Sequence, residues 1–147
     1  MEDLMHMMEL KKHGFFCSQI LVSMGLEDLG KSNPDLVRAA RGLAGGLGFS
    51  GDACGALTGG ACLLGLYAGK GLPEEKDDPR LDFMVQDLTA WFKVEYGEQY
   101  SGILCDDILE GDPNNTKSRC PAIVVGTYEK VQALLAENGF IGDEAGA

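Results

Sequence analysis

Basic residues are scarce in this chain: 12 Lys and Arg stand against 23 Asp and Glu, a formal net charge of −11. No basic stripe offers the footprint that a phosphate backbone requires, so no nucleic acid is expected as a partner. No apolar run reaches the length of about 18 residues that a membrane-spanning helix needs, so no membrane association is expected. No Cys-x-x-Cys pair occurs, which excludes a thioredoxin-like motif and a zinc-ribbon knuckle. Covalent haem is excluded with it, since Cys-x-x-Cys-His is missing. The stretch from Met1 to Met8 holds no twin arginine, no basic segment leading an apolar one and no small-residue cleavage site. A cytoplasmic location is the expectation. No hairpin dipeptide sits between alternating runs, and no internal repeat is visible.

What is present is enough for one domain. The 147 residues, 45% hydrophobic and 24% charged, suit a single helical domain over 1–147, able to bury roughly 68–70% of its unfolded surface without a disulfide. Apolar residues recur at i, i+3 and i+4, which predicts an all-α bundle of five or six helices. Residues 1–14 form an amino-terminal arm or weak helix, broken at Gly14 before a helix from Phe15 to Leu26. Asn33 as cap, Pro34 at the first position and Asp35 facing the dipole start a helix over 35–44. Asp78-Pro79 starts the longest amphipathic helix, with Met84, Leu88, Trp91 and Phe92 as core, up to Gly97. A short helix over 102–109 carries Cys105. The last helix starts at Cys120-Pro121 and stops at Asn138-Gly139, with 141–147 as a frayed tail.

Glycine is concentrated between Gly42 and Gly71, which hold 11 of the 21 in the chain. Gly45-Gly46-Leu47-Gly48-Phe49-Ser50-Gly51-Asp52 reads as a loop. Cys54 to Tyr67 reads as an apolar helix with Gly55, Gly59 and Gly60 near one face. Each such glycine costs about 1 kcal/mol against alanine. That cost is tolerated where a backbone or a prosthetic group must come closer than a side chain allows, so a central glycine-rich helix is expected.

The five cysteines fall at 17, 54, 62, 105 and 120. An odd number in a chain of this size argues against a disulfide framework and for thiols that bind, react or pack. Cys17, Cys54 and Cys120 each fall in or just before the first turn of an expected helix, where the macrodipole and free N–H groups favour a thiolate. Asp52 or Ser50 is placed to cap the helix of Cys54, and Lys117 and Arg119 add positive charge beside Cys120. Helix starts converging on one point favour bound anions, a thiolate-ligated iron–sulfur cluster among them. Cys62 lies in the apolar run Ala61-Cys62-Leu63-Leu64, about 12 Å along the helix from Cys54, and reads as core.

Phe16-Cys17-Ser18-Gln19, the lead-in Gly45-Gly46-Leu47-Gly48, Cys54-Gly55-Ala56-Leu57-Thr58-Gly59, Leu64-Gly65-Leu66, Cys105 and Cys120-Pro121 follow one another in order. In this pattern the chain resembles the C_GCAxxG_C_C family of redox-active proteins, and with it the cysteine region of split-Soret cytochromes c. The resemblance implies that Cys17, Cys54, Cys105 and Cys120 are the functional cysteines, as cluster or metal ligands or as redox thiols. Some family members look exported by a twin-arginine signal, which is absent here.

Other candidates weigh less. The Thr58 hydroxyl, one turn after Cys54, is placed either to bond a thiolate or cluster sulfur or to bond back to the i−4 carbonyl. His6, His13, Asp106 and Asp107 read as solvated. The expected function is redox activity through an iron–sulfur cluster on Cys17, Cys54, Cys105 and Cys120, with Gly55 and Thr58 beside it and an unidentified electron partner. The alternatives are thiol–disulfide chemistry at Cys54 and Cys120, or a structural zinc site on the same four thiolates. Met1 to Met8 and the helix of Trp91 offer more apolar surface than a small bundle hides, so a homodimer is expected.

Overall fold

Asn33 accepts the Leu36 N–H at 3.1 Å, with Pro34 at the first helical position, so one helix begins where its capping signals predict. The computed structural model describes residues 2–142. Among them run seven helices: α1 (Glu2–Lys12), α2 (Cys17–Asp28), α3 (Pro34–Ala40), α4 (Gly55–Ala68), α5 (Leu81–Phe92), α6 (Cys105–Leu109) and α7 (Thr116–Glu137). No strand occurs among the described residues, and one isolated bridge joins Ala53 to Leu104. The fold is all-α as expected, with seven helices where five or six were predicted. Gly14, at φ +91°, ends the first turn sequence and makes α1 a separate helix. Met1 and residues 143–147, most of the expected frayed tail, lie outside the described residues.

Several boundaries differ from the sequence expectation: α3 ends at Ala40 rather than residue 44, α6 starts at Cys105 rather than residue 102, and two more differences bear on the packing. The helical run that begins with α5 does not stop at Gly97: it continues through a π turn at Lys93–Gly97 and a last turn at Glu98–Tyr100. Edge-on contacts among Trp91, Phe92 and Tyr96, with ring centroids 4.9–6.4 Å apart, hold that turn. α7 begins at Thr116, four residues before the expected start, so Pro121 stands inside it. Pro121 lies in the second turn, where it removes one i→i−4 hydrogen bond, and the preceding 3₁₀ turn Pro113–Asn115 runs directly into the helix.

α4 packs against α2, α5 and α7, and its glycines set the distances. A Cβ on Gly59 would stand 2.9 Å from Ser18 Cα, and one on Gly60 2.9 Å from Thr127 Cγ2. Around these approaches lie the buried side chains Leu21, Leu63, Leu64, Leu88, Phe92, Val131 and Leu135. α3 is tied to α2 by Ser18 Oγ donating to Ala40 O at 2.8 Å and Gln19 Nε2 donating to Val37 O at 3.2 Å. α1 lies along α7 and α2 and buries Met7.

The close approach predicts opposite outcomes at two glycines of one helix. Gly59→Val should destabilise by about 2–3 kcal/mol, because the backbone of Ser18 cannot give way. Gly65→Ala, where an added Cβ meets nothing within 4 Å, should stabilise by up to ~1 kcal/mol through helix propensity. Urea midpoints at constant m-value read both.

Candidate functional site

Between α3 and α4, five consecutive residues, Gly45, Gly46, Leu47, Gly48 and Phe49, hold φ values of 63–75°. They form a turn of left-handed helix, closed by Phe49 N–H to Ala44 O at 3.0 Å, Gly51 N–H to Gly45 O at 3.1 Å and Asp52 N–H to Gly46 O at 3.0 Å. The sequence reads this stretch as a loop, because glycine spacing marks a break but not its handedness. Left-handed backbone costs an ordinary L-residue about 1–2 kcal/mol, so glycine at three of the five positions removes most of the cost. Leu47 and Phe49 keep theirs. The Phe49 ring folds over Gly45, meets Phe16 edge-on at 5.4 Å, and lies under the Arg41 guanidinium together with Phe16. These contacts offset part of the strain.

Two further pieces of backbone complete the frame. Cys54 N–H donates to Ile103 O at 3.1 Å, Cys105 N–H to Asp52 O at 2.7 Å and Asp106 N–H to Gly51 O at 3.2 Å. This short bridge fixes the starts of α4 and α6 side by side. Asp52 does not cap α4, since its carboxylate accepts from Ala53 N–H instead. Cys54 itself occupies the N-cap position.

Cys17, Cys54, Cys105 and Cys120 line one cavity of about 570 Å³, walled by α1, α2, α6, α7 and the left-handed turn. Gly55 lines it as well, and a Cβ there would stand 2.6 Å from Cys17 Sγ. Away from the thiols the wall is apolar, with Phe15, Ile20, Ile123 and Val124, and Phe16 and Phe49 also line it. Among the described residues no group of three or more His, Cys, Asp or Glu is drawn tightly enough to hold a single metal ion.

Helix-start placement predicts lowered thiol pKa values, and here burial outweighs it. Desolvation pushes Cys54 up to about 12, the neighbouring Cys17 adds to the rise, and the Ala56 and Leu57 amides oppose it. Burial also raises Cys17, against the amides of Ser18 and Gly45. Cys105 is raised by burial and then by Asp106. Cys120 is pushed up to about 11 by burial and by Cys17 and Cys105. It stands in the second turn of α7 rather than the first, which puts it beyond the reach of the helix start.

The cation beside Cys120 is Lys11 of α1, which favours the thiolate. Neither neighbour in sequence has that place: Arg119 bonds Ile108 O at 2.5 Å and Glu110 at 2.7 Å, and Lys117 does not line the cavity. Lys11 carries no sequence signal, because only the packing of α1 brings it there. The Thr58 hydroxyl donates to the carbonyls of Cys54 and Gly55 at 3.4 Å, and Thr58 does not line the cavity. Cys62, expected in the core, is exposed. Eight residues turn it about 80° from Cys54 around the helix. His6 meets Glu27 at 2.5 Å on the surface, His13 meets Glu9 at 3.5 Å, and Asp107 caps α6 by accepting Leu104 N–H at 3.2 Å. Asp106, read as solvated, is exposed but sits on the cavity rim.

A family model described as putative redox-active protein (C_GCAxxG_C_C) matches residues 15–134, and the chain belongs to that family. No curated protein and no solved structure matches it. No helix among the described residues is long and apolar enough to cross a membrane.

The raised thiols give the metal-free protein an alkaline weakness. Below the ordinary cysteine value of 9.0, Cys54 is protonated folded or unfolded and adds no pH dependence. Between there and about 12 the unfolded chain releases a proton that folded Cys54 retains, so stability falls as pH rises. Urea midpoints from pH 8 upward should fall more steeply for wild type than for Cys54→Ala, and equal slopes would contradict the assignment. In the same state iodoacetamide should label the exposed Cys62 first and Cys54, 7% exposed, last.

Proposed function

We propose that this member of the C_GCAxxG_C_C family holds an iron–sulfur cluster on the thiolates of Cys17, Cys54, Cys105 and Cys120 and serves electron transfer. The observation that carries the reading is that four cysteines from four separate segments line one cavity, with backbone amides turned toward two of the sulfurs. Amides facing sulfur and an apolar surround are the levers by which a protein sets a cluster potential. When bound, the cluster would supply a one-electron centre. The chain would contribute four ligands, the amides of Ser18, Gly45, Ala56 and Leu57 to hold sulfur charge, and the bare backbone of Gly55 to leave room for Cys17.

Two other chemistries fit less well. Four sulfurs at 2.3 Å from one zinc ion stand only ~3.8 Å apart, and no group among the described residues is gathered so tightly. A polynuclear cluster accepts a wider set. Thiol–disulfide exchange needs an accessible thiolate, whereas Cys54 is buried and stands near 12, and Cys120 near 11. In this reading the protein is a cytoplasmic homodimer exchanging electrons with a partner, and exposed Met5, Met8, Phe83 and Val94 supply apolar surface for such contacts.

Protein purified without oxygen should be brown and carry iron and acid-labile sulfide. Cys54→Ser and Gly55→Ala should each lose most of both while keeping their helical circular dichroism. Colourless wild-type protein, free of iron after anaerobic reconstitution and cycling its thiols with a mild oxidant, would overturn the cluster in favour of disulfide chemistry.

A further inference from the structure

The thiol-lined cavity is larger than a cluster requires. A four-iron cube with edges near a metal–thiolate bond length of about 2.3 Å fills, with its van der Waals envelope, roughly 200 Å³. The cavity measures about 570 Å³, within the range of small-molecule sites, which are apolar clefts carrying a few placed polar groups. The accessible apolar wall is formed by Phe15, Phe16, Phe49 and Pro121, whose side chains offer no donor to any polar ligand.

One cation stands on that wall. Lys11 is half-buried and makes no ion pair or side-chain hydrogen bond among the described residues, although the chain carries an excess of 11 negative charges. The remaining charged group lining the cavity is Asp106, exposed at its rim with its carboxylate against Gly51 and close to Cys105. An apolar pocket with one unpaired ammonium group matches a molecule with an apolar body and one anionic end.

We propose that the cavity is a binding site for a small apolar organic carboxylate, its body against Phe15, Phe16, Phe49 and Pro121 and its carboxylate on Lys11, beside the four cysteine sulfurs. The assignment goes beyond the cluster reading and depends on the cavity rather than on what the thiolates hold. Lys11 belongs to α1, outside the residues matched by the family model, so the ligand is set by a part of this chain that the match does not cover.

Calorimetric titration with octanoate and with octan-1-ol, on reduced metal-free protein and on reconstituted protein, tests this. Octanoate should bind, with octan-1-ol weaker by roughly tenfold through loss of the charge-assisted hydrogen bond. Lys11→Met should bind the two equally, and Lys11→Arg should restore the preference. Absence of octanoate binding in both forms of the protein would overturn the proposal, as would equal binding of the two probes to wild type, or a preference that survives in Lys11→Met. Iron and sulfide present without octanoate binding would sink this proposal and spare the cluster. Octanoate binding in a protein that takes up no iron would do the reverse.

Discussion

A sulfur atom occupies the space where residue 55 would carry a side chain, and the geometry of the site depends on that contact. Cys17 Sγ sits over Gly55, 2.6 Å from where a Cβ would stand, and one turn further on Gly59 meets the backbone of Ser18. α2 and α4 therefore touch backbone to backbone at the end where their cysteines lie. The same approach that packs the two helices sets Cys17 beside Cys54, so two of the four thiols cannot move independently. The other two are placed by different means: Cys105 by the backbone bridge to Asp52, and Cys120 by the packing of α7.

Two opposing forces act on each sulfur. Amide N–H groups at Cys17 and Cys54 favour the thiolate, while burial in an apolar wall and the presence of one another favour the thiol. Burial wins at all four positions, so the metal-free site is a set of neutral thiols held close to donors suited to anions. Such a site gains most from a ligand that supplies positive charge, since binding releases protons and turns the unfavourable mutual repulsion of four thiolates into ligation. The strain of Phe49 in left-handed backbone has the same sense: it persists where the surroundings over-determine it, at the wall of the cavity.

The helices were legible where local chemistry decides them. Asn33-Pro34-Asp35 starts α3 by capping, and Gly55, Gly59 and Gly60 of α4 mark close approach where Gly65 does not. The four cysteines were legible through order and spacing. What escaped the sequence depends on tertiary contact or on handedness. Glycine, leucine and phenylalanine in series do not spell a left-handed turn, since two of those residue types disfavour it, and the turn is closed by Phe49 N–H on Ala44 O and by Gly51 and Asp52 on the carbonyls of Gly45 and Gly46. Arg119 is nearer Cys120 in sequence than Lys11 is, yet Glu110 and the Ile108 carbonyl take its guanidinium. Cys62 has apolar neighbours on both sides, and only its azimuth on α4 exposes it.

The division between matched and unmatched residues separates two levels of function. The thiols, the left-handed turn and the glycines of α4 all lie within 15–134, whereas Met7 and Lys11, which close the cavity from α1, lie before it. The arrangement of the thiols is thus a property of the shared frame, built from backbone placements that few substitutions can alter without moving a sulfur. The far wall is a single helix face laid over that frame. A change of one side chain on α1 alters the charge at the wall while leaving every thiol in place, so the thiol arrangement and the charge that faces it are free to vary separately.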